Sequence, residues 1–381
     1  MRIAIDNSAA FNQGAGIGRY ARNVVPAALN DLPDAEAVLF YAPEPNTGAK
    51  FADTALAMFP PTARLRVRRA PFDRRRMDQI WFRARLPVPI ELWSGRTNLV
   101  YSPDFTAPPS LHAPTIVTVH DLAFEIVPER APEALRSFLS AIVPRQVKRS
   151  TAIVAVSETT KCDLIDRYGV LAERITVVPN AAEERFFGAT ALSPEERRSM
   201  DLPERFLLTV GTIEPRKNHI ALFDALHLLP ASVSIPLVIA GNVGWAADDI
   251  VARANALQAA GRVILLGHVD DRLLPRLYSS ATAIVYPSWY EGFGLPVLEG
   301  LASGVPVIAS DVPAHREVAG EQATLVPPGD AAAIAAEIER VLTSETSDPA
   351  QIELRRSQAR RYSWDGSGQV LAALFREVTG T

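Results

Sequence analysis

The chain has one cysteine, Cys162, among 381 residues. That excludes an internal disulfide and a cysteine-based metal cluster, and it suits a reducing compartment. Positive charge is not in excess. Lys and Arg number 39 against 43 Asp and Glu, a formal net charge of -4, which argues against a nucleic-acid binder acting by bulk charge. No apolar run reaches the ~18 residues of a membrane-crossing helix. The opening MRIAID enters a strand pattern directly and lacks the shape of a signal peptide, so a cytoplasmic protein is expected. Internal repeats and low-complexity segments are also missing. What is present, 48% hydrophobic and 22% charged residues, is ordinary globular composition, and the length suits two domains of ~100–200 residues each.

Short apolar runs alternate with helical patterns throughout. In the first half the buried strands expected are 2–6, 38–42, 99–102, 115–121, 153–157 and 175–180; in the second half they are 206–211, 236–241, 263–267, 283–288, 305–310 and 324–328. Near-continuous apolar strands joined by helix-length segments imply parallel sheets covered on both faces. The polar stretch 181–204 separates the two series. It predicts two doubly wound domains, 1–190 and 191–365.

The most informative stretch is Glu291-Gly-Phe-Gly-Leu-Pro-Val-Leu-Glu299, flanked by the strands AIVYPS and VPVIAS. A strand, a glycine loop and a helix N-terminus together hold anions. A carboxylate further into that helix reaches toward a sugar hydroxyl. A second segment, TVGTIEPRKNH (209–219), closes a strand with Gly211 and brings Arg216 and Lys217 before a helix. Arg supplies a planar fork of donors and Lys a point charge, which together suit a diphosphate. Basic residues at a helix start oppose its dipole, and an anionic partner relieves that conflict.

These two segments resemble the glutamate-x7-glutamate motif and the G-T-x-x-x-R-K-N segment of the retaining family 4 glycosyltransferases. The resemblance runs over about 2–378 and is strongest in 209–311. It implies an α/β GT-B fold, two Rossmann-like doubly wound parallel-sheet domains facing a cleft. It also implies that the final helix, within 366–381, returns to the first domain. Arg216 and Lys217 would hold the donor's phosphates, with backbone near Gly211, Phe293, Gly294 and Leu295. Glu299 would hold the ribose hydroxyls, Glu291 the transferred sugar, and Val269 in GHVDD would lie near the base. No Asp-x-Asp occurs in the chain. A metal is therefore not expected at the diphosphate, and no cofactor beyond the nucleotide-sugar co-substrate is implied.

In the first domain, Gly14, Gly16 and Gly18 lie between a strand and a helix. Arg19 stands where the dinucleotide fingerprint needs its third glycine, so a hydride-transfer cofactor is not expected. The pattern instead resembles the family's G-G-I-G-R-Y loop, with Ala15 as a departure. His120 ends the strand TIVTVHD at a sheet's carboxyl edge, where ligands of such sheets bind. A structural role and a functional one both fit a histidine there. The family's strand-end histidine contacts the donor sugar's 6-hydroxyl. The segment 64–87 carries nine arginines against Asp73 and Asp78, a net +7, with Met77, Ile80, Trp81 and Phe82 among them. It reads either as a peripheral contact with the anionic inner face of the plasma membrane or as a solvated helix over buried aromatics.

The implied reaction is transfer of a hexose from a nucleotide sugar, with retention, onto a saccharide or lipid-linked saccharide acceptor. The EPRKN clamp, the His120-Asp121 strand end and the arginine run 74–76 resemble bacterial mannosyltransferases of surface polysaccharide assembly. GDP-mannose is the donor expected. A UDP-sugar donor (glucose or N-acetylglucosamine), a nucleotide-sugar epimerase, a pyridoxal-dependent phosphorylase and a non-transferring binding module are the alternatives.

Overall fold

The computed structural model describes residues 1–230, 233–344 and 348–380. The chain divides into two compact units. Unit 1 comprises Met1–Leu122, Ser137–Asn180 and Ser363–Thr381, and unit 2 comprises Ala123–Arg136 and Ala181–Tyr362.

Unit 1 holds β1 (Arg2–Asp6), β2 (Glu36–Tyr41), β3 (Arg64–Arg69), β4 (Leu99–Ser102), β5 (Thr115–Val119), β6 (Ala152–Ala155) and β7 (Ile175–Val177). They form one sheet in the order β3-β2-β1-β4-β5-β6-β7, parallel throughout. The order reverses direction between β1 and β4. That is the switch point at which open α/β sheets leave a crevice outside their carboxyl ends. The central strands are apolar because helices cover both faces; every residue of β4 and β5 is buried.

One strand escaped the sequence reading. RLRVRR (64–69) is not part of a basic surface helix but the edge strand β3, paired with β2 from Glu36↔Arg64 to Tyr41↔Arg69. Five of its six residues are exposed, so its apolar content was too low to mark it. Arginines along an edge also oppose pairing with another chain. The aromatics that follow are buried: Met77, Trp81 and Phe82 are in the core, and Trp81 stands in a cluster with Phe40 and Trp93. The exposed apolar side chains among the arginines are instead Val67, Phe72 and Leu86.

The last helix, Trp364–Thr379, packs on the helix Gly16–Asn30 within unit 1. Gly368 permits the approach, since a Cβ there would lie 2.5 Å from the carbonyl carbon of Ala27. Ser367 Oγ donates to the Pro179 carbonyl at 2.8 Å and ties the helix to the end of the sheet.

Unit 2 holds β8 (Leu207–Val210), β9 (Leu237–Ala240), β10 (Val263–Gly267), β11 (Ala283–Tyr286), β12 (Val307–Ser310) and β13 (Thr324–Val326). The sheet runs β10-β9-β8-β11-β12-β13, again parallel. Its switch point lies between β8 and β11. Phe223, Leu226, Ile239, Ile250 and Ile338 fill one side of this sheet's core. The short excursion Ala123–Arg136, which leaves unit 1 after β5, belongs to unit 2; nothing in its sequence signalled that.

Candidate active site

β8 ends at Val210, and Gly211 follows with φ +143°, a backbone region that L side chains rarely adopt. The backbone here is crowded: a Cβ on Gly241 would fall 1.9 Å from the Gly211 carbonyl oxygen. The chain then makes a 3₁₀ turn, Pro215–Lys217. Asn218 closes the turn in the left-handed region (φ 56°), which asparagine tolerates. Several bonds join this turn to the loop after β11, among them Arg216 Nη1 to the Tyr290 carbonyl at 3.0 Å. Asn218 Nδ2 donates to the Pro287 carbonyl at 3.1 Å, and the Trp289 N–H donates to the Arg216 carbonyl at 2.9 Å. Trp289 is itself covered by the Arg130 guanidinium, 4.8 Å from the ring centre. The adjacency of β8 and β11 thus brings together residues some 75 positions apart.

There Glu291 receives both cations. Arg216 Nη1 lies 2.9 Å from Glu291 Oε2, and Lys217 Nζ lies 2.7 Å from Oε1. Lys217 Nζ also donates to the Tyr286 hydroxyl at 2.6 Å, and that hydroxyl donates to Glu291 Oε1 at 3.0 Å. On its other side, Arg216 Nη2 pairs with Glu214 at 2.8 Å. Two cations therefore face two carboxylates, and the cluster is neutral as it stands. The sequence reading had Arg216, Lys217 and Glu291 but gave no role to Glu214 or Tyr286. Glu214 was legible only as a neighbour of the basic pair, and Tyr286 only as the last residue of its strand.

The electrostatics follow from this geometry. Burial alone would raise the Glu291 carboxyl, but Arg216 and Lys217 overcome it and hold that group well below the usual carboxylate range. Burial and the Arg216 charge lower the Lys217 ammonium, against Glu291 and Glu214. Burial and the anionic Glu291 push the Tyr286 hydroxyl well up, so it stays a donor. His219, next to the turn and 2% exposed, is lowered to about 4 by burial and the Lys217 charge.

Beside the cluster, Gly294 (φ 98°) starts the helix Leu295–Ala302, which has no side-chain cap. Its first-turn N–H groups form the positive end of a helix. The glycine is required twice over: by its φ, and because a Cβ would lie 2.8 Å from His315 Cδ2. His315 is fully buried and donates its Nδ1–H to the Ser310 carbonyl at 2.8 Å. Its ring lies 5.6 Å from that of Tyr286. Phe293 turns away to pack edge-on against Tyr362. Glu299 sits one turn into the helix, 1% exposed, and accepts from the Tyr278 hydroxyl at 2.8 Å. Val269 is half-buried in the turn after β10. The structure thus joins Arg216, Lys217 and Glu291 directly, places Gly211, Gly294 and Leu295 in the adjoining loops, holds Phe293 and Glu299 in separate contacts, and leaves Val269 half-buried beyond β10.

The unit 1 candidates stand at that unit's own carboxyl edge. His120 follows β5, 9% exposed, with Nε2 at 2.9 Å from the Pro103 carbonyl. That nitrogen therefore carries the proton, and Nδ1 is the acceptor. Burial lowers the imidazole pKa, and Tyr20 and Phe105 meet the ring edge-on. Gly16 opens the helix Gly16–Asn30 with free space beside it. Gly18 is different: a Cβ there would lie 2.0 Å from the Gln13 carbonyl oxygen, so it serves the close packing of the loop. A second buried network, unseen in the sequence, lies at the β1/β4 switch point. Arg74 sits among Asp6 (3.6 Å), Asp78 (3.0 Å) and Asp104 (3.8 Å).

Comparison with known proteins places both units. Residues 194–361 match the family described as glycosyl transferases group 1, and residues 15–185 match glycosyltransferase family 4. The chain is 30% identical over 271 residues to the O-antigen chain mannosyltransferase B of Escherichia coli, covering 70% of this chain and 71% of that one. It is 29% identical to the serotype-specific mannosyltransferase WbdA of Escherichia coli, with 69% of this chain covered but only 33% of that longer protein. In three dimensions it resembles Anabaena Alr3699/HepE in complex with UDP and glucose, with a TM-score of 0.73 at 17% identity over 99% of this chain and 100% of that one.

Proposed function

Because this chain belongs to family 4 of the glycosyltransferases and carries the GT-B fold, we propose that it transfers mannose from GDP-mannose, with retention at the anomeric carbon, onto a saccharide or lipid-linked saccharide in surface polysaccharide assembly. The observation that carries the reading is the convergence of Arg216, Lys217 and Glu291 at the β8/β11 switch point, beside an uncapped helix N-terminus. The two mannosyltransferase relatives support the choice of sugar. A UDP-sugar is the second reading, favoured by the fold neighbour crystallised with UDP and glucose.

In this reading the donor's diphosphate takes Arg216, Lys217 and the first-turn N–H groups of the 295–302 helix, which stabilise the leaving nucleotide without a metal ion. Glu291 turns to the hexose hydroxyls and Glu299 to the ribose. The bond from the anomeric carbon to phosphate breaks as the bond to the acceptor oxygen forms on the same face. The acceptor's proton passes to the departing phosphate oxygen. At unit 1's own carboxyl edge, Nδ1 of His120 is an acceptor. Among the described residues no helix is long and apolar enough to cross a membrane. Contact with a lipid-linked acceptor's bilayer would fall to the exposed arginines of 64–87.

The test is a thermal-shift and turnover panel of GDP- and UDP-sugars against lipid-linked acceptors. GDP should stabilise the protein, and Lys217→Ala should lower mannose transfer roughly 10²–10³-fold, with or without added magnesium. Stabilisation by UDP alone would replace the donor. Full activity of Lys217→Ala would remove the cationic clamp from the mechanism.

A further inference from the structure

The cations that a diphosphate needs are already occupied. Arg216 Nη1 and Lys217 Nζ are held by the two oxygens of one carboxylate, at 2.9 and 2.7 Å, and all three side chains are at least four-fifths buried. Glu214 takes a second Arg216 nitrogen, so the cluster has no net positive charge with which to attract an anion. A diphosphate that takes these two nitrogens must compete with Glu291 for them. Its success would leave a buried carboxylate with the Tyr286 hydroxyl as its donor, and a buried charge stripped of its counter-ions is strongly unfavourable.

What replaces the lost partners depends on what the diphosphate carries. A sugar on the terminal phosphate brings hydroxyl donors, and a carboxylate accepts them in charge-assisted bonds. A bare nucleoside diphosphate offers nothing but acceptors and more negative charge there. We infer that Glu291 is the specificity-determining residue that distinguishes a sugar-loaded nucleoside diphosphate from the spent nucleotide, by competing with the diphosphate for Arg216 and Lys217 until a hexose compensates it. The inference rests on reading this cluster as a nucleotide-sugar site. Its consequence is weak retention of the product: once the hexose has left, Glu291 reclaims the cations and expels the nucleotide. Binding energy is thereby kept for the loaded substrate, where it serves the reaction.

Calorimetric titration of GDP, UDP and their hexose conjugates into the wild type and Glu291→Gln decides it. Glutamine keeps the shape and removes the competing charge. The bare nucleotide should bind the variant at least tenfold more tightly, about 1.4 kcal/mol. The hexose conjugate should gain little or lose affinity, so the preference for the loaded form collapses by tenfold or more. Tyr286→Phe removes the hydroxyl that bridges Lys217 and Glu291. With the donor left to a displaced Glu291 gone, the bare nucleotide should bind this variant at least about threefold more weakly than wild type while the hexose conjugate loses less. Equal losses for the two would overturn the inference even if Glu291→Gln folds poorly. If the wild type binds a bare nucleotide and Glu291→Gln binds it equally or more weakly, the inference is overturned while the site assignment stands. If no nucleotide binds the wild type, the site assignment falls and the inference with it.

Discussion

The two sheets end in buried ionic clusters at equivalent topological positions, and the clusters have opposite balance. At the β1/β4 switch of unit 1, one guanidinium, Arg74, serves Asp6, Asp78 and Asp104. At the β8/β11 switch of unit 2, Arg216 and Lys217 serve Glu214 and Glu291. The first carries an excess of carboxylate and has no cation to give up. Burial raises the Asp6 and Asp78 carboxyls above their ordinary values against the opposing pull of Arg74. The second is balanced and lies beside a helix N-terminus, the arrangement on which the proposed anion exchange rests. On the proposed reading, the same fold position supports a fixed structural network in one unit and an exchangeable anion site in the other. The difference lies in the count of cations and not in burial.

That contrast can be broken at several points. The largest effect is expected from Arg74→Ala, which would leave three carboxylates around an empty position. Removing one partner of a buried ionic network costs about 3–5 kcal/mol. Hydrogen exchange should show β1 and β4 opening far more often in the variant, with unit 2 unchanged. A loss below about 1 kcal/mol would mean that Asp6, Asp78 and Asp104 are stabilised by something other than Arg74.

A smaller effect concerns acid stability in unit 2. His219 has a folded pKa of about 4, below its ordinary 6.5. Its depressed value means that the unfolded chain binds the proton more readily. The contribution is therefore intact above pH 6.5 and is lost as pH falls toward 4, by roughly 3 kcal/mol in full. Urea midpoints of the wild type and His219→Gln, compared from pH 7.5 to 4.5, should show a shallower decline in the variant. Parallel declines would assign the acid sensitivity elsewhere.

The smallest effect separates the edge of unit 1 from its interior. Arg75, Arg76 and Arg83 are exposed, and each contributes about 1 kcal/mol at an anionic bilayer surface. Replacing all three by alanine should weaken sedimentation with phosphatidylserine vesicles and leave thermal stability unchanged. Unchanged vesicle binding would leave these arginines as a solvated helical surface.

Much of the fold was legible because parallel strands buried on both faces announce themselves as apolar runs, as TIVTV and AIVY do. β3 was not, since an edge strand in water needs no apolar alternation. For Trp81 and Phe82 the sequence left two readings open, a membrane-facing surface or buried aromatics, and the second holds. Their arginine neighbours suggested a wet surface, but a π-helical turn, Gln79–Arg83, directs both rings into the core. Arg216, Lys217 and Glu291 were legible as chemistry, since cations and a carboxylate beside glycine loops suit a nucleotide sugar. Their pairing was not, nor was the part of Tyr286.

The sequence alone determined which buried segments become strands, where glycine must relieve the backbone, and which charged side chains stand at strand ends, because these depend on residues close in the chain. The tertiary structure decided which of those charges face one another. β8 meets β11 and β1 meets β4 only through non-local parallel pairing, and whether a buried cluster is balanced or in excess is a sum over partners that no single segment contains.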